Sequence, residues 1–309
     1  MNTYDLIIIG SGPAGLAAAI YGVRARLSLI VIEQEFISGG QIVNTTEVDN
    51  YPGLPGIGGF EMGEKFREHA EKLGAEFVND TVTGLTVGED GLKTVECFEA
   101  SYTAKTVIIA SGAKHSLLGA PGEAELTGMG VAYCATCDGA FYKGKVTAVV
   151  GGGDVALEDA LFLSRLCEKV YIIHRRDEFR GAKAIQEKLL ATPNIIPVMD
   201  SVVDGIGDLS GGMTKVERLT VRNVKSGEVK TLEVNGVFIA VGIVPNSDLF
   251  TLVDKDEKGY IKAGESCETS VPGIFAAGDV RTKQLRQVVT AVADGANAVT
   301  SAERYLSRM

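Results

Sequence analysis

The sequence predicts an α/β protein with parallel sheets and small antiparallel meanders, and one repeated pattern carries that prediction. An apolar strand, a glycine-rich turn, a helix and a second apolar strand follow one another in residues 6–32, and the same succession returns in residues 146–173. Each succession is a βαβ unit of the kind that binds one dinucleotide. We therefore expect two Rossmann-like dinucleotide-binding domains.

Composition narrows the class of protein. The chain has 309 residues, 45% of them hydrophobic, which is long enough for two domains. A formal net charge of −10 argues against nucleic acid as a partner. We expect no membrane association, because no window approaches the roughly 18 uninterrupted apolar residues of a spanning helix. The apolar stretch at residues 6–9 lacks the features of a secretory signal, so we expect a cytoplasmic protein.

The first βαβ unit contains a complete fingerprint for a dinucleotide. Residues 10–15 read Gly-Ser-Gly-Pro-Ala-Gly between a strand and a helix, and Glu33 ends the next strand. Gly10 allows a tight turn, Gly12 lets the backbone approach a pyrophosphate, and Gly15 lets helix and strand pack closely. The helix N-terminus attracts the phosphates, and Glu33 can accept hydrogen bonds from ribose hydroxyls. An ordinary glycine-rich turn is the alternative, but strand, helix and acid together favour the dinucleotide.

The second unit carries the variant fingerprint and a different strand end. Residues 151–156 read Gly-Gly-Gly-Asp-Val-Ala, and the following strand delivers His174, Arg175 and Arg176, with Arg180 shortly after. Arginine pairs bidentately with phosphate oxygens, so this cluster suits a 2′-phosphate and favours NADPH over NADH. A solvated basic face is the alternative reading.

The other elements follow from periodicity. Helical spacing of apolar residues predicts helices at 60–73 and 288–305, and alternation predicts strands within 77–97. Residues 216–221, 229–234 and 237–240 predict a small antiparallel meander that ends the second unit. We expect the chain from Val244 onward to rejoin the first domain.

A Cys-x-x-Cys pair, Cys134 and Cys137, needs its own explanation. A structural zinc site requires four ligands, and the sequence has neither a second such pair nor clustered histidines. A close pair of this kind interconverts readily between dithiol and disulfide, so we expect redox chemistry. Asp138 could exchange protons with these thiols, or it could simply be a turn residue before Gly139.

A strand, a turn and a helix near the end of the chain suggest a ligand-binding role for Asp279. Asp279 follows an apolar strand in residues 274–276 and precedes the last helix, where it could accept a hydrogen bond from a ribityl hydroxyl. It could equally cap a helix, and the two roles are compatible.

Taken in order, these motifs resemble those of bacterial-type, low-molecular-weight thioredoxin reductases, and the resemblance runs essentially end to end. The marks that carry it are the two glycine-rich fingerprints, Gly-Gly-Gln at 39–41, Thr-Glu-Val-Asp-Asn-Tyr-Pro-Gly at 46–53, Cys-Ala-Thr-Cys-Asp at 134–138, His-Arg-Arg-Asp-Glu-Phe-Arg at 174–180, Ala-Gly-Asp at 277–279 and Arg-Gln at 286–287.

The resemblance implies cofactors and the residues that hold them. FAD is expected in an outer domain that comprises residues 1–113 and 244–309, at Gly10, Ser11, Gly12, Pro13, Ala14, Gly15, Glu33, Gln34, Gly40, Gln41, Asn50, Val82, Gly278, Asp279, Arg286, Gln287 and Val288. NADPH is expected in the inserted domain, residues 114–243, at Gly151, Gly152, Gly153, Asp154, Val155, His174, Arg175, Arg176, Arg180 and Gly242.

The resemblance also implies roles and partners. Cys137 is the thiol next to the flavin, Cys134 attacks the substrate disulfide, and Asp138 gives and takes the proton. The partner is thioredoxin or a thioredoxin-like protein, the protein is a homodimer, and the inserted domain rotates about hinges near Ala113 and Gly242. The chain departs from the family pattern at Val155, where relatives commonly carry Ser or Thr, and at Gly181, where Ala is usual.

Several related readings remain as alternatives. A flavoprotein that serves a peroxiredoxin is expected to carry a thioredoxin-like extension before the first strand, and a ferredoxin-dependent relative does not need the arginine cluster. One type of ferredoxin-NADP reductase shares the fold but lacks the cysteine pair. A dinucleotide sensor without turnover is the alternative from a different class.

Overall fold

The computed structural model describes residues 3–45, 47–210 and 213–309, and within this range the chain divides into two compact units. Unit 1 combines Met1–Lys114 with Val244–Met309, and unit 2 is His115–Ile243. Both boundaries fall in a pair of short strands, β7 (Ala113–His115) and β16 (Ile243–Pro245). Thr46, the first residue of the motif at 46–53, lies outside the described residues.

Unit 1 is organised around one sheet whose central strand is long. Its elements are β1 (Thr3–Ile9), α1 (Pro13–Arg24), β2 (Leu29–Glu33), α2 (Gly59–Lys72), β3 (Glu76–Asn79), β4 (Val82–Val87), β5 (Lys93–Cys97), β6 (Ser101–Ile109), β17 (Ile274–Ala276) and α6 (Val288–Leu306). Strands β3, β2, β1 and β6 run parallel in that order. The beginning of β6 pairs with antiparallel β5, whereas its end pairs with parallel β17.

The core of unit 1 explains why these strands are parallel. Leu6, Ile7 and Ile8 are fully buried, and Val107 and Ile108 beside them are buried as well, so both faces of the sheet are covered. Strands buried on both faces form near-continuous apolar runs and belong to parallel sheets with helices packed against them. The carboxyl ends of β1, β2, β6 and β17 consequently lie on one edge, where nucleotides bind in such folds.

Unit 2 repeats this plan with a separate core. Its elements are β8 (Val131–Ala132), α3 (Ala135–Asp138), β9 (Val146–Val150), α4 (Asp154–Leu163), β10 (Lys169–Ile173), α5 (Lys183–Leu190), β11 (Ile195–Val198), β12 (Ser201–Gly207), β13 (Arg218–Asn223), β14 (Val229–Glu233) and β15 (Gly236–Ile239). A parallel sheet has the order β11-β10-β9-β15-β8, and β12, β13 and β14 form an antiparallel sheet.

The predicted α/β class with parallel sheets and antiparallel meanders is confirmed, but one strand assignment is wrong. Residues 237–240 do not end the meander, because β15 pairs parallel with β9 and with β8 inside the main sheet of unit 2. The third strand of the meander is β12, which the sequence patterns did not reveal. Strand β15 is buried along its whole length, which suits the centre of a sheet better than a half-exposed meander.

The boundaries of the helices predicted at 60–73 and 288–305 agree with the structure to within one residue, since the helix predicted at 60–73 is α2. Helix α4 begins at Asp154, directly after the second glycine-rich turn, and ends at Leu163. The last helix, predicted at 288–305, occupies Val288–Leu306. Within the described ranges, no helix has the length and the apolar character that a membrane crossing requires.

Candidate functional site

The first glycine-rich turn has the geometry that its sequence predicts. Gly10 adopts φ +103°, and a Cβ there would lie 2.6 Å from the carbonyl oxygen of Ala110. A Cβ on Gly15 would collide with the carbonyl of Gly10, so α1 approaches the turn as closely as only glycine allows. Around Gly12, by contrast, the Cβ direction is open. The backbone at Gly12 is therefore accessible to a ligand.

Several other predicted residues surround this turn. Glu33 accepts hydrogen bonds from the backbone nitrogen of Ser11 at 2.7 Å and from its hydroxyl at 2.9 Å. The Cα of Gly12 lies 3.5 Å from the Cβ position of Gly40, which has φ +60°. Gly278, with φ +78°, approaches so closely that a Cβ there would lie 2.9 Å from the Cβ of Ala14. Segments from both ends of the chain thus meet at one turn.

The last helix contributes a second group of predicted residues. Gln287 caps α6 through a reciprocal pair of hydrogen bonds with Thr290, and its side-chain oxygen accepts a hydrogen bond from Asn50 Nδ2 at 2.9 Å. Val288 begins the helix and packs against the small cluster formed by Val48, Ile57 and Met62. Asn50 and Gln287, which the resemblance assigns to one FAD site, are therefore neighbours in the structure.

Two buried polar atoms beside this group have no partner among the described residues. They are Asp279 Oδ1 and Arg286 Nε. Burial raises the pKa of Asp279 above its ordinary value, and the nearby charges of Lys283 and Arg286 oppose that rise. The Arg286 guanidinium lies 4.0 Å from the ring centroid of Tyr260. Because buried polar groups normally have hydrogen-bond partners, these two atoms indicate a polar ligand at this place.

These observations test whether unit 1 fits FAD. An open backbone at Gly12 suits a pyrophosphate, Glu33 still has lone pairs to accept from a ribose, and Asp279 Oδ1 needs a donor such as a ribityl hydroxyl. Asp279 lies in a 3-10 turn (Gly278–Val280) whose cap is Ala277, so the alternative of helix capping is wrong. The donor and acceptor pattern of unit 1 therefore fits the dinucleotide.

Three predicted residues lie at the margin of this arrangement. The side-chain nitrogen of Gln41 donates a hydrogen bond to the carbonyl of Ala113. Gln34 is exposed just after β2, and its carbonyl accepts a hydrogen bond from Asn79 Nδ2 at 3.2 Å. Val82 begins β4 and packs against the hydrophobic core of the sheet.

The second glycine-rich turn, in unit 2, repeats the first in its details. A Cβ on Gly151 would lie 2.7 Å from the Cβ of Ala156, as close as the helix and the turn can pack. The Cβ direction of Gly153 is open, like that of Gly12. Val155 follows in the first turn of α4 and is exposed. The open backbone again lies at the N-terminus of a helix, which favours phosphate.

The arginine cluster is attached to this turn by its backbone. The amide of Arg180 donates to the carbonyl of Gly152 at 2.7 Å, and Asp154 Oδ1 accepts from the amide of Ala182 at 2.7 Å. The side chains of Arg175, Arg176 and Arg180 are exposed. The loop that carries these three exposed cations is thus joined to the turn that precedes α4.

His174 has a different position from its neighbours. Its ring is buried against Gly152, where any side chain would overlap it, and its Nε2 is 3.0 Å from the carbonyl of Glu178. Burial lowers its pKa, and the three arginines lower it further. A neutral His174 therefore supports the loop from inside. Gly242, with φ +138°, is paired through its carbonyl with the amide of Ser116.

Cys134 and Cys137 form a disulfide in unit 2. Cys134 caps the short helix α3, whose residues include Cys137 and Asp138. Burial raises the pKa of Asp138 to about 6, so its carboxyl group keeps a proton closer to neutral pH than an ordinary aspartate does. Within the described part of the chain, no group of His, Cys, Asp or Glu side chains has the arrangement of a metal site.

Sequence reasoning missed a residue that anchors the cysteine segment. Tyr133, directly before Cys134, donates its hydroxyl to Glu123 Oε1 at 2.9 Å. The buried Glu123 also accepts from the backbone amides of Leu118 at 2.9 Å and Gly119 at 2.6 Å. No motif marks this contact, because it joins residues from an irregular segment.

Comparisons with known proteins agree with this arrangement. The sequence profile of pyridine nucleotide-disulphide oxidoreductases matches residues 4–295. A thioredoxin reductase of Peptoclostridium acidaminophilum is 46% identical over 99% of this chain and 98% of its own, and one of Bacillus subtilis is 44% identical over 99% and 96%. The crystal structure of thioredoxin reductase from Streptococcus pyogenes superposes with a TM-score of 0.93 at 44% identity, with 99% of both chains covered. The chain therefore belongs to the pyridine nucleotide-disulphide oxidoreductase family.

Proposed function

We propose that this protein is an FAD-containing, NADPH-dependent thioredoxin-disulfide reductase. The observation that carries the proposal is the Cys134–Cys137 disulfide in a chain that also holds two open dinucleotide turns. The relatives named thioredoxin reductase match it over nearly their whole length. Thioredoxin or a thioredoxin-like protein is the partner. We also propose, from the same relationship, a cytoplasmic homodimer.

Unit 1 holds FAD and unit 2 holds NADPH in this proposal. When bound, FAD supplies the two-electron chemistry that connects a pyridine nucleotide with a disulfide. Gly12 and the start of α1 receive its pyrophosphate, Glu33 accepts from its ribose, and Asp279 with Arg286 fills the hydrogen-bonding gaps described above. Asn50 and Gln287 hold each other in place beside it.

Gly153 and α4 receive the NADPH pyrophosphate, and the exposed arginines receive its 2′-phosphate. Arg175, Arg176 and Arg180 provide bidentate donors, which a ribose without the extra phosphate cannot use. His174 supports their loop as a buried neutral ring. Preference for NADPH over NADH therefore comes from the loop that follows β10.

The cysteines carry the exchange with the partner. The Cys134 thiolate attacks one sulfur of the partner disulfide, a mixed disulfide forms, and the other partner sulfur leaves as a thiolate that takes a proton. Cys137 then attacks Cys134, which restores the intramolecular disulfide and releases the second partner thiol. Asp138 donates the proton. Each cycle consumes one hydride from NADPH and one proton from solvent.

The function is tested by replacing each cysteine and following NADPH oxidation with oxidised thioredoxin. Cys134→Ser and Cys137→Ser should each abolish turnover, because one sulfur cannot form and resolve a mixed disulfide. Both variants should still contain FAD, and anaerobic NADPH should still bleach it. Cys97→Ser, at a half-buried thiol outside the pair, is the control and should keep full activity. Normal turnover by either variant would refute the proposal, and binding of NADPH without bleaching would indicate a sensor.

The coenzyme preference is tested at the loop that follows β10 and carries Arg175, Arg176 and Arg180, the arginine loop. Arg176→Ala should raise the KM for NADPH about tenfold or more and leave that for NADH unchanged, because it removes a charge-assisted hydrogen bond to the 2′-phosphate. Arg165→Ala is the matched control, since this exposed arginine follows the opposite end of α4. Equal changes for both coenzymes would contradict the proposed role.

A further inference from the structure

A buried group of three charged side chains stands behind the turn at Gly278 and Asp279. Asp294 projects from α6 and is only 4% exposed. Arg281 and Lys283, with side chains 11% and 7% exposed, come from the segment that follows the turn. None of the three belongs to a sequence motif, and none contributes to the exchange chemistry.

The Asp294 carboxylate collects four hydrogen bonds. Oδ2 accepts from the amide of Gly278 at 2.9 Å, from Arg281 Nε at 2.9 Å and from Lys283 Nζ at 2.8 Å. Oδ1 accepts from Arg281 Nη2 at 2.6 Å. The remaining Arg281 nitrogen donates to the carbonyls of Ala263 and Thr282 at 3.1 and 2.9 Å. The Arg281–Asp294 ion pair is therefore bidentate, which fixes its geometry.

The same group is rigidly joined to the first glycine-rich turn. A Cβ on Gly295, next to Asp294, would overlap the carbonyl of Ala14, so α6 and α1 are packed as closely as a glycine permits. Gly278 meets the side chain of Ala14 from the other direction. Asp294 therefore connects the turn at Gly278 with the helix that begins at the dinucleotide fingerprint.

The side chain of Asp279 indicates a purpose for this fixed geometry. Its Oδ1 is buried and has no partner among the described residues, although its neighbour Gly278 is held by Asp294. A carboxylate oxygen left open in a fixed place is prepared for a donor from a ligand. Burial raises the pKa of Asp279 and the charge of Asp294 adds to this rise, whereas the charges of Lys283 and Arg286 favour its ionised, accepting form.

We propose that Asp294, held by Arg281 and Lys283, is a positioning residue that fixes Gly278 and Asp279 for FAD. This inference rests on the proposed placement of Asp279 at FAD. Asp294 acts through the turn and does not touch the cofactor. Its loss should therefore cost more free energy of FAD binding than free energy of unfolding of the apoprotein.

The test compares FAD affinities of reconstituted apoproteins, followed by the quenching of flavin fluorescence. Asp294→Asn keeps the shape of the side chain but leaves two buried cations without a counter-charge, and it should raise the Kd for FAD about tenfold or more. Lys283→Met removes one donor while Arg281 stays bidentate, so it should fold and raise the Kd by roughly twofold to tenfold. The inference would be overturned if Lys283→Met left the Kd for FAD unchanged, and Asp294→Asn either left it unchanged as well or failed to fold.

A second carboxylate of unit 1 gives the matched control. Asp5 accepts from Lys105 Nζ at 2.7 Å and from the hydroxyl and amide of Ser28 at 2.9 and 3.0 Å, at the end of β1 opposite Gly10. Asp5→Asn should lower thermal stability and leave the Kd for FAD unchanged. An equal rise of the Kd in Asp5→Asn would mean that general destabilisation explains the effect, and the inference would fail.

Asp279→Ala separates this inference from the proposed function. If this variant binds FAD as tightly as the parent protein, the placement of Asp279 at FAD is wrong. If it weakens binding whereas Asp294→Asn does not, only the positioning role is wrong. If both are right, adding Asp294→Asn to Asp279→Ala should cause a smaller rise in Kd than it does alone, because both changes act on one turn.

Discussion

Asp138 is the residue at which burial has a direct chemical consequence. Its pKa rises from 3.8 to about 6 because the carboxyl group is desolvated. At pH 7 about one molecule in ten then carries the proton, compared with about one in a thousand for an ordinary aspartate. A proton donor beside a leaving thiolate is most useful when its pKa lies near the working pH.

We expect the rate of thioredoxin reduction to show an inflection near pH 6, with the proton-consuming step slowing as the pH rises through that value. Asp138→Asn should remove the inflection and lower kcat by about 100-fold, as loss of a general acid does. Steady-state kinetics between pH 5 and 8 would measure this. Asp159→Asn is the control, because burial also raises the pKa of Asp159, to about 7, and its replacement should leave the inflection in place.

Sequence motifs predict residues with chemical roles, but they do not reveal the residues that hold those side chains in place. Disulfide chemistry restricts the spacing of a cysteine pair, and the close packing of strand, turn and helix restricts the glycine positions. Both motifs can therefore be recognised in a sequence. Asp294 has no such signature, since any acid on α6 that faces Gly278 would serve, and its partner Arg281 precedes the helix. Contacts of this kind depend on how α6 and the turn pack, which periodicity does not reveal.

At the level of elements, Gly181 shows how the arginine loop is fitted to helix α4. A Cβ there would lie 2.5 Å from Cδ1 of Leu157, which is fully buried. The amides of Arg180 and Gly181 both point at the carbonyl of Gly152. The departure from the family's usual alanine at position 181 therefore has a local packing reason.

We expect Gly181→Ala to lower the free energy of unfolding by about 1–3 kcal/mol, as overpacking does. The gain from a less flexible unfolded chain, up to about 1 kcal/mol, is smaller. The variant should also raise the KM for NADPH, because the loop shifts away from Gly152. Denaturant titration and NADPH kinetics measure the two effects.

Two further variants sharpen this test. Leu157→Val shortens the obstructing side chain, so the double variant should lose less stability than the sum of the two single variants. Gly264→Ala, at an exposed glycine with open space around it, should change stability by no more than about 0.5 kcal/mol. An equally stable Gly181→Ala protein would contradict the packing argument.

Strand partners were the weakest part of the sequence-based prediction. Residues 216–221 and 229–234 do form antiparallel strands, yet 237–240 joins the parallel sheet instead. Alternation reveals that a segment is a strand but not which strand it pairs with, because pairing is decided by contacts far along the chain. The unbroken apolar run at Val237, Phe238 and Ile239 was the available signal for a central parallel strand.

At the scale of the whole molecule, each unit has a core of its own. Ile8, Ile108 and Phe275 belong to the core of unit 1, and Val149, Leu157 and Phe238 to that of unit 2. The sequence indicates two units because the two glycine-rich fingerprints lie in separate βαβ successions.

Separate cores lead us to expect two calorimetric transitions. FAD added to the apoprotein should raise only one of them and NADP⁺ only the other, since a ligand stabilises the unit that binds it. At 100 times the Kd, each ligand contributes about 2.7 kcal/mol. A single transition that both ligands move would contradict independent units.

Unit 1 is assembled from the two ends of the chain, with β17 paired to β6 and α6 packed on α1. During synthesis on the ribosome the inserted unit is complete before β17 and α6 have emerged. The nascent protein should therefore acquire its nicotinamide-binding half first and become yellow only after its last helix is released. Loss of the final helix would leave a chain that binds NADPH but stays colourless.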